Sequence, residues 1–285
     1  MSVLRKFFAG AAVLVVAASL AGCSTGGSSS ESVAGDSTMK KILDSGELRY
    51  GVIVGEAPGF IKKDDGSWTG YLADAAQEIA IALDLTPVPV ETTWGNLALD
   101  LQTDKIDVAV GVQPTGARAL VADYTSHPIY TNYFSLIVTS EEYDDVSWVE
   151  LNSGDVTIGA QTGDSTLQPI KRFAPDAKIT EFDSRDKNLL ALQSGHVDAS
   201  ANTLLNSLMA AKSRTDLSAH VIVPEPLVAA PSAVMVKRSA DQAFLHAVDA
   251  VVWNLNASGT VRASILKHLA EYGITEADLP LNAVL

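Results

Sequence analysis

The segments LRYGVIV at residues 48–54, YLADAAQEIAIALDL at 71–85 and PVPV at 87–90 decide the fold class. The first and third segments are short and apolar, which is typical of buried strands. In the middle segment apolar residues such as Leu72 and Ala76 recur at the spacing of a helix face. A strand, a helix and a second strand in this order predict an α/β protein with parallel strands.

The same alternation of strand and helix patterns continues along the chain. Further short apolar runs predict strands at residues 107–111, 156–160, 197–201 and 233–236. Apolar residues at helical spacing predict helices at residues 97–101, 167–173, 189–192, 204–209, 244–255 and 261–272. The chain is therefore predicted to be α/β with mostly parallel sheets.

Two extended segments interrupt this alternation. Residues 130–139 form a β-rich run without helical period, and the strand pattern at 233–236 follows a Pro-rich stretch. Two extended crossings between two α/β sets predict a hinged pair of lobes with a cleft between them, which is where such folds hold ligands. The predicted division is lobe 1 at residues 38–132 plus 229–285 and lobe 2 at residues 133–228.

The N-terminal segment has the pattern of an export signal. Arg5 and Lys6 are the only charged residues before Cys23, and residues 7–21 are apolar. A basic start followed by a short apolar run is typical of a secretory signal peptide, here residues 1–22. The run is short for a membrane span, which needs about 20 residues. Residues 23–37, rich in Gly and Ser, predict a flexible tether.

The end of the signal, Leu20-Ala21-Gly22-Cys23, resembles the lipobox of bacterial lipoproteins. The resemblance implies cleavage before Cys23 and attachment of diacylglycerol to its sulfur. Two or more acyl chains, palmitate among them, would give a stable membrane anchor. The alternative is an ordinary small-residue cleavage site with an incidental cysteine. The expected location is extracytoplasmic, lipid-anchored to the bacterial cell membrane.

Composition excludes several classes of function. Hydrophobic residues make up 47% of the 285 residues and charged residues 19%, which is enough apolar surface for a sizeable core. The net charge of −14 argues against nucleic acid as a partner, because that affinity depends on Lys and Arg. With one cysteine, no cysteine–zinc site or disulfide is expected within the chain. Neither a GxGxxG nor a P-loop motif occurs, and the five histidines lack metal-ligand spacing, so we expect no cofactor, no metal and no catalytic residue.

An ordered series of short motifs carries a resemblance to a known family. The series is GELRYG at 46–51, PGF at 58–60, DG at 65–66, GY at 70–71, Asp74, Trp94, Asp107, TGAR at 115–118, YTSHPIY at 124–130, GDS at 163–165 and GHVDA at 195–199. The series is similar to that of the bacterial extracellular solute-binding proteins of family 3, the polar amino acid receptors of ABC importers. The resemblance covers nearly all of residues 40–272.

The resemblance implies a fold, a function and a site. The fold would be the type II periplasmic-binding fold, two α/β lobes joined by a double crossover hinge. The function would be that of a monomeric substrate-binding receptor, which captures a small carboxylate-bearing solute, an amino acid or derivative, and delivers it to an ABC permease. The implied ligand-binding residues are Glu56, Phe60, Trp94, Gln113, Thr115, Arg118, Gly163, Ser165, Asn202 and Thr203.

The chemistry of several of these residues fits the implied roles, with alternatives. The planar guanidinium of Arg118 can bind a carboxylate through two parallel hydrogen bonds, but an exposed arginine at a helix start would look the same. Ser165 precedes an apolar helix and could be its N-cap, a ligand contact, or both. Trp94 and Phe60 could line the ligand or pack in the core.

Three departures from the family pattern leave the ligand open. The segment at residues 107–115 is one residue shorter than usual and carries Gln113-Pro114. The usual aspartate that holds a ligand ammonium is replaced by Thr203, preceded by Asn202. Glu56 stands where an aromatic residue often stacks on the ligand. Glu56 could take over the ammonium, or it could face solvent and the ligand would be a carboxylate with neutral substituents. The alternative function is an enzyme on the same fold, such as a cyclohexadienyl dehydratase-like protein, with Glu56 as the general acid.

Overall fold

The computed structural model describes residues 37–143, 146–239 and 241–279. The helices are α1 (Thr38–Ser45), α2 (Tyr71–Ala82), α3 (Leu97–Gln102), α4 (Gly116–Ala119), α5 (Trp148–Leu151), α6 (Leu167–Phe173), α7 (Arg185–Gln193), α8 (Leu204–Ser213), α9 (Ala243–Ala257) and α10 (Thr260–Ala270). The strands are β1 (Glu47–Ile53), β2 (Ile61–Lys62), β3 (Trp68–Thr69), β4 (Thr86–Thr92), β5 (Val108–Val112), β6 (Ala122–Tyr124), β7 (Tyr130–Val138), β8 (Thr157–Gln161), β9 (Lys178–Phe182), β10 (Ala199–Thr203), β11 (His220–Ile222) and β12 (Ala229–Lys237). The predicted signal peptide and Cys23 lie outside these residues.

Most of the strands form one mixed sheet in the order β4-β1-β5-β12-β7-β10-β8-β9, with β6 beside β12 and β11 beside β7. On one side of the sheet β1 runs parallel to β4 and β5, and on the other side β8 runs parallel to β9 and β10. The central strands β12 and β7 are antiparallel to their neighbours. Parallel strands with helical connections confirm the predicted α/β class.

Three hydrophobic cores divide the sheet into two lobes, with α8 contributing Leu205 and Met209 to the first core and Ala210 to another. One core is built from β1, α2, β5, α9 and α10, with residues such as Leu48, Ile79 and Val248. Two further cores flank the other half of the sheet and include Ile158 and Leu189. We refer to the elements around the first core as lobe 1 and to those around the other two as lobe 2.

The strands β7 and β12 carry the chain between the lobes. They pair with each other through residues 130–133 and 229–232, and each then continues into one lobe. Within lobe 2, β7 pairs with β10, whereas β12 pairs with β5 in lobe 1. This double crossing agrees with the extended run predicted at 130–139. The exact lobe boundaries named from the sequence stay a prediction.

The sequence missed or misplaced some element boundaries. The strand predicted at 233–236 begins earlier, at Ala229, and includes Pro231. Residues 229–232 pair with β7 alone, so this part of β12 has an unpaired side that accepts a residue without an N–H. The strand predicted at 197–201 is found two residues later, after the turn that closes α7. Helix α10 ends at Ala270, so Tyr272 lies beyond it. The strand β9 was not predicted, because most of its residues are partly or fully exposed.

Candidate functional site

The cleft between the lobes is lined by loops that follow four strands. Two loops belong to lobe 1, after β1 and β5, and two belong to lobe 2, after β8 and β10. The carboxyl ends of parallel strands are the usual place for a ligand in an open α/β sheet. Every ligand-binding residue predicted from the sequence lies on one of these loops or close to it, except Trp94, which follows β4.

Arg118 is buried in the cleft, with only 7% of its surface exposed. Thr115 is the N-cap of α4, and its hydroxyl accepts a hydrogen bond from the Arg118 backbone N–H at 3.3 Å. The guanidinium donates to three backbone carbonyls, those of Gln113 at 3.1 Å, Trp94 at 3.2 Å and Gly163 at 2.9 Å. The last of these belongs to lobe 2, so Arg118 connects the two lobes.

The three acceptors of Arg118 are all neutral. Among the residues that the structure describes, no carboxylate forms a salt bridge with this guanidinium. Burial lowers the pKa of Arg118, and the charge of Asp164 partly opposes that effect. A buried cation held only by carbonyl dipoles is a favourable partner for a carboxylate, which it can bind through two hydrogen bonds.

Glu56 is also buried, with 2% of its surface exposed, and it forms an ion pair with Arg185 of lobe 2. Its position is fixed by a tight turn, in which the N–H groups of Gly59 and Phe60 donate to its carbonyl at 2.9 and 3.0 Å. Burial raises the pKa of the Glu56 carboxyl, and the charge of Arg185 opposes the rise. Glu56 therefore does not face solvent, and it already has a cationic partner within the protein.

Arg185 was not identified from the sequence, yet its side chain donates as many hydrogen bonds in the cleft as that of Arg118 does. It is 6% exposed, and besides Glu56 its donors reach the Gly55 carbonyl at 3.3 Å and Asn202 Oδ1 at 3.1 Å. Asn206 touches the same ion pair. In one orientation its amide donates to Glu56 Oε2 at 3.4 Å, and in the other it accepts from Arg185 Nη2 at 2.5 Å. The group thus links residues of both lobes.

Gln113 forms a second polar link across the cleft. Its side-chain oxygen accepts from Ser165 Oγ at 2.8 Å, and its nitrogen donates to Ser232 Oγ at 2.9 Å. The N-cap of α6 is Thr166, so the capping role considered for Ser165 is not what its hydroxyl does here. Lobe 1, lobe 2 and the crossing strand β12 meet at this one amide.

The aromatic candidates take different positions. Phe60 is 2% exposed and belongs to the core of lobe 1, which is the packing alternative considered for it. Trp94 is half-buried beside that core and lines the cleft. Its indole N–H makes no well-aligned hydrogen bond to the described residues, but it lies close enough to Glu56 to oppose the rise in the pKa of that carboxyl. Of the two, only Trp94 lines a cavity of the cleft.

Two cavities lie in the cleft. The inner one is enclosed, has a volume of about 20 Å³ and is lined by Glu56, Trp94, Gln113, Tyr130, Asp164 and Thr203, among others. The outer one, of about 690 Å³, opens beside α6 and is lined by Thr115, Phe134, Ser165, Arg172, Phe173 and Pro231, among others. Of the predicted site residues, Gln113 and Thr203 line both cavities, Glu56 and Trp94 line the inner one, and Thr115 and Ser165 line the outer one. The other four, Phe60, Arg118, Gly163 and Asn202, line neither.

The described part of the chain holds no cluster of His, Cys, Asp and Glu that could bind a metal ion. Within the same residues, no helix has the length and apolar character needed to cross a membrane. The lipidation predicted at Cys23 falls outside the described residues.

Comparison with known proteins identifies a family and several relatives. The model of the bacterial extracellular solute-binding proteins, family 3, matches residues 48–271. A cyclohexadienyl dehydratase of Pseudomonas aeruginosa is 24% identical over 83% of this chain and 87% of its own length. An L-cystine-binding protein of Escherichia coli is 22% identical over 83% of this chain and 88% of its own length.

A solved structure extends the comparison to the fold. An amino acid ABC transporter substrate-binding protein from Streptococcus pneumoniae, bound to L-arginine, superimposes with a TM-score of 0.71. It is 26% identical and covers 82% of this chain and 98% of its own. Two α/β lobes joined by two crossings are therefore the type II periplasmic-binding fold, as the sequence predicts.

Proposed function

The chain belongs to the bacterial extracellular solute-binding proteins of family 3, and we propose that it captures a carboxylate-bearing amino acid or derivative between its lobes for an ABC importer. The observation that carries this proposal is the environment of Arg118. A buried guanidinium whose acceptors are all neutral carbonyls can exchange them for a carboxylate, which is a stronger partner. Thr115, Gln113 and Ser165 line the outer cavity and can hydrogen-bond the same ligand once the lobes open.

Binding requires the lobes to move. The inner cavity of about 20 Å³ has room for roughly one water molecule, whereas ligand pockets are typically about 300–1,000 Å³. The ligand therefore binds to a more open arrangement, in which the bond between Arg118 and the Gly163 carbonyl is broken. Closure around the ligand follows, driven by its greater affinity for the closed state. We place the moving bodies at residues 38–132 plus 229–285 and at residues 133–228.

The remaining parts of the proposal concern location and partners. The mature protein is anchored through lipid on Cys23, with residues 24–37 as a tether, and it delivers its ligand as a monomer to an ABC permease. The sequence around Cys23 supports the anchor. Loss of fatty acid labelling and of membrane retention in Cys23→Ala is the expected result, and normal retention of that variant would contradict it.

A thermal-shift screen of the purified mature protein against amino acids and small organic acids tests the function directly. Stabilisation follows the ratio of ligand concentration to Kd, so a true ligand at 100 times its Kd should add about 2.7 kcal/mol. Calorimetry on the compounds that stabilise would then give the affinity. If no amino acid or small carboxylate stabilises the protein, the proposed ligand class is wrong.

A dehydratase is the second candidate, favoured by the relative from Pseudomonas aeruginosa and by the raised pKa of Glu56, which a general acid requires. The ion pair with Arg185 argues against it, because one carboxylate oxygen of Glu56 is already bonded to that guanidinium. Protonation of the ring hydroxyl by Glu56, with loss of water and of the ring carboxylate as carbon dioxide, would give an aromatic product. Its appearance by ultraviolet absorbance, and its absence with Glu56→Gln, would favour the enzyme.

A further inference from the structure

Four charged groups of balanced sign lie where the two lobes meet. Glu56 and Asp164 line the inner cavity, and Arg118 and Arg185 each donate a hydrogen bond to the opposite lobe. Arg118 and Arg185 are cationic, while Glu56 and Asp164 are anionic. Resting on the proposed function, we infer that the site selects amino acids of zero net charge and rejects those with a charged side chain. Arg185 acts as the internal counter-ion of Glu56, Arg118 receives the ligand carboxylate, and Asp164 receives the ligand ammonium.

The first step is that Glu56 is not available to a ligand cation. Arg185 contacts it directly, and Asn202 and the Gly55 carbonyl hold the same guanidinium in place from the two lobes. Both members of the pair are more than nine-tenths buried. A cationic ligand side chain could pair with Glu56 only by displacing the Arg185 guanidinium. One ion pair would then form and another would break, so the number of ion pairs would not increase.

The second step concerns Asp164, which lines the inner cavity and is half-buried. Its Oδ1 accepts from the Thr166 backbone N–H at 2.7 Å, which fixes the carboxylate at the start of α6. Among the described residues it forms no salt bridge, yet its charge acts on both Arg118 and Glu56. It is thus a cleft carboxylate without a cationic partner, next to the residue whose carbonyl accepts from Arg118.

Together these assignments fix the charge that the site can accept. A zwitterion places one negative group on Arg118 and one positive group near Asp164, so every charge has a partner. A ligand with one extra charge leaves that charge unpaired in a closed cleft, which is unfavourable. Lys171 and Arg172 do not alter this balance of buried charges. Both side chains are exposed on the outer cavity, where water and salt screen them.

The first test uses the wild-type protein and pairs of amino acids that share a shape and differ in charge. The pairs are citrulline and arginine, norleucine and lysine, and glutamine and glutamate, measured by calorimetry at pH 7.5. Within each pair that binds, we expect the neutral member to bind at least about tenfold more tightly, since one unpaired buried charge costs this much or more. Equal or tighter binding of the charged member overturns the inference but leaves the proposed function standing. If none of the amino acids binds, the proposed function itself is wrong.

The second test changes the counter-ion. Arg185→Gln leaves Glu56 unpaired, so the preference for citrulline over arginine should fall at least about tenfold or reverse. The matched control, Arg185→Lys, keeps the positive charge and should keep the preference. The double variant Glu56→Gln with Arg185→Gln should restore it. An unchanged preference in a folded Arg185→Gln protein contradicts the role of Arg185.

Circular dichroism confirms that each variant is folded, and a further variant covers the case in which Arg185→Gln does not fold. Asp164→Asn removes the proposed ammonium partner without touching the ion pair. Wild type should prefer an amino acid to its deaminated analogue by about tenfold or more, and Asp164→Asn should lose that preference. A preference retained by Asp164→Asn contradicts the role of Asp164.

Discussion

The cleft contains two buried arginines that satisfy their charge in different ways. Arg118 donates only to backbone carbonyls, while Arg185 pairs with the carboxylate of Glu56. The first arrangement leaves the guanidinium free to exchange neutral acceptors for a ligand carboxylate. The second fixes a charge that the ligand does not compensate. Burial alone therefore does not identify a ligand-binding arginine, and the kind of acceptor it has must also be known.

The difference follows from what each side chain joins. Arg118 lies five residues after Gln113, whose carbonyl is one of its acceptors, so part of its environment is local. Arg185 and Glu56 are 129 residues apart in the chain and meet only when the two lobes come together. We therefore expect Arg118 to affect mainly ligand binding, and Arg185 to affect mainly the stability of the closed arrangement.

The largest expected effect is on stability, from Arg185→Ala. This change leaves the Glu56 carboxylate buried without its cation, which typically costs about 3–5 kcal/mol. Urea denaturation should show this loss in the free energy of unfolding. Arg262→Ala is the matched control, because Arg262 pairs with Glu276 at the exposed surface and its loss should cost under about 1 kcal/mol. If Arg185→Ala and Arg262→Ala lose the same free energy of unfolding, the buried pair contributes no more to stability than the exposed one.

The next effect is on binding, from Arg118→Ala. Removing the guanidinium leaves the ligand carboxylate without its partner, typically a loss of about 2–5 kcal/mol, or at least about 30-fold in Kd. Arg118→Lys should not restore the affinity, because an ammonium cannot form two parallel hydrogen bonds to a carboxylate. Calorimetry with the best ligand from the screen measures both variants, with Arg262→Ala again as control. Wild-type affinity in either Arg118 variant would move the carboxylate site elsewhere.

A smaller effect on binding is expected from a change at Gly163, whose carbonyl accepts from Arg118 across the cleft. It tests whether Arg118 acts together with closure of the lobes. A Cβ on Gly163 would lie 3.0 Å from Gly95 Cα, and Gly163 has a φ of 77°, which an alanine adopts at a cost of about 1–2 kcal/mol. We expect Gly163→Ala to keep the lobes apart, with weaker binding and a smaller decrease in the radius of gyration on addition of ligand. Small-angle scattering measures that decrease.

Gly195→Ala is the control for this experiment. Gly195 has a similar φ of 70°, but no atom lies within 4 Å of a Cβ placed there. It should lose stability through backbone strain and keep wild-type binding and closure. If both glycine variants bind and close alike, contact between the lobes at Gly163 is not what limits closure.

The comparison of the two arginines also shows how far the sequence could lead. The fold was predictable because local periodicity identifies β1, α2 and most of the other elements, and their alternation determines the class. Arg118 could be identified because its motif is local, with Thr115 three residues before it. Arg185 follows the helix cap Ser184 and has the local pattern of an ordinary exposed arginine at a helix start.

The remaining site features depend on contacts between distant segments. The sequence raised two possibilities for Glu56, ammonium partner or solvent-exposed acid, and the structure shows a third, a pair with Arg185. Asp164 was passed over because its neighbours Gly163 and Ser165 carried the family pattern. Phe60 matched the pattern but packs in the core, since one aromatic residue can fit either environment. Local patterns therefore predict loops well and side-chain partners poorly.

The smallest expected effect is the pH dependence of stability, which should distinguish the two buried arginines. Burial, opposed by Arg185, raises the pKa of Glu56 above its ordinary value of 4.5. Its contribution to stability is fully present below pH 4.5 and is lost as pH rises through the folded-state pKa. The free energy of unfolding of wild type, relative to Glu56→Gln, should therefore fall as pH increases above 4.5. We expect no such signal from Arg118, because an arginine side chain stays protonated across the pH range in which carboxyl groups titrate.

Asp74, in the first turn of α2 in lobe 1, provides a control of opposite sign. Burial disfavours its ionisation, but hydrogen bonds from His268 at 2.8 Å and Ser264 at 2.8 Å outweigh it and lower its pKa below 3.8. Its contribution is present above pH 3.8 and is lost as pH falls through the folded-state pKa. Urea denaturation of wild type, Glu56→Gln and Asp74→Asn between pH 2.5 and 8 should give opposite slopes for the two variants. A slope of the same sign for both would mean that Arg185 compensates fully for the burial of Glu56, and the contrast between the two arginines would then rest on binding alone.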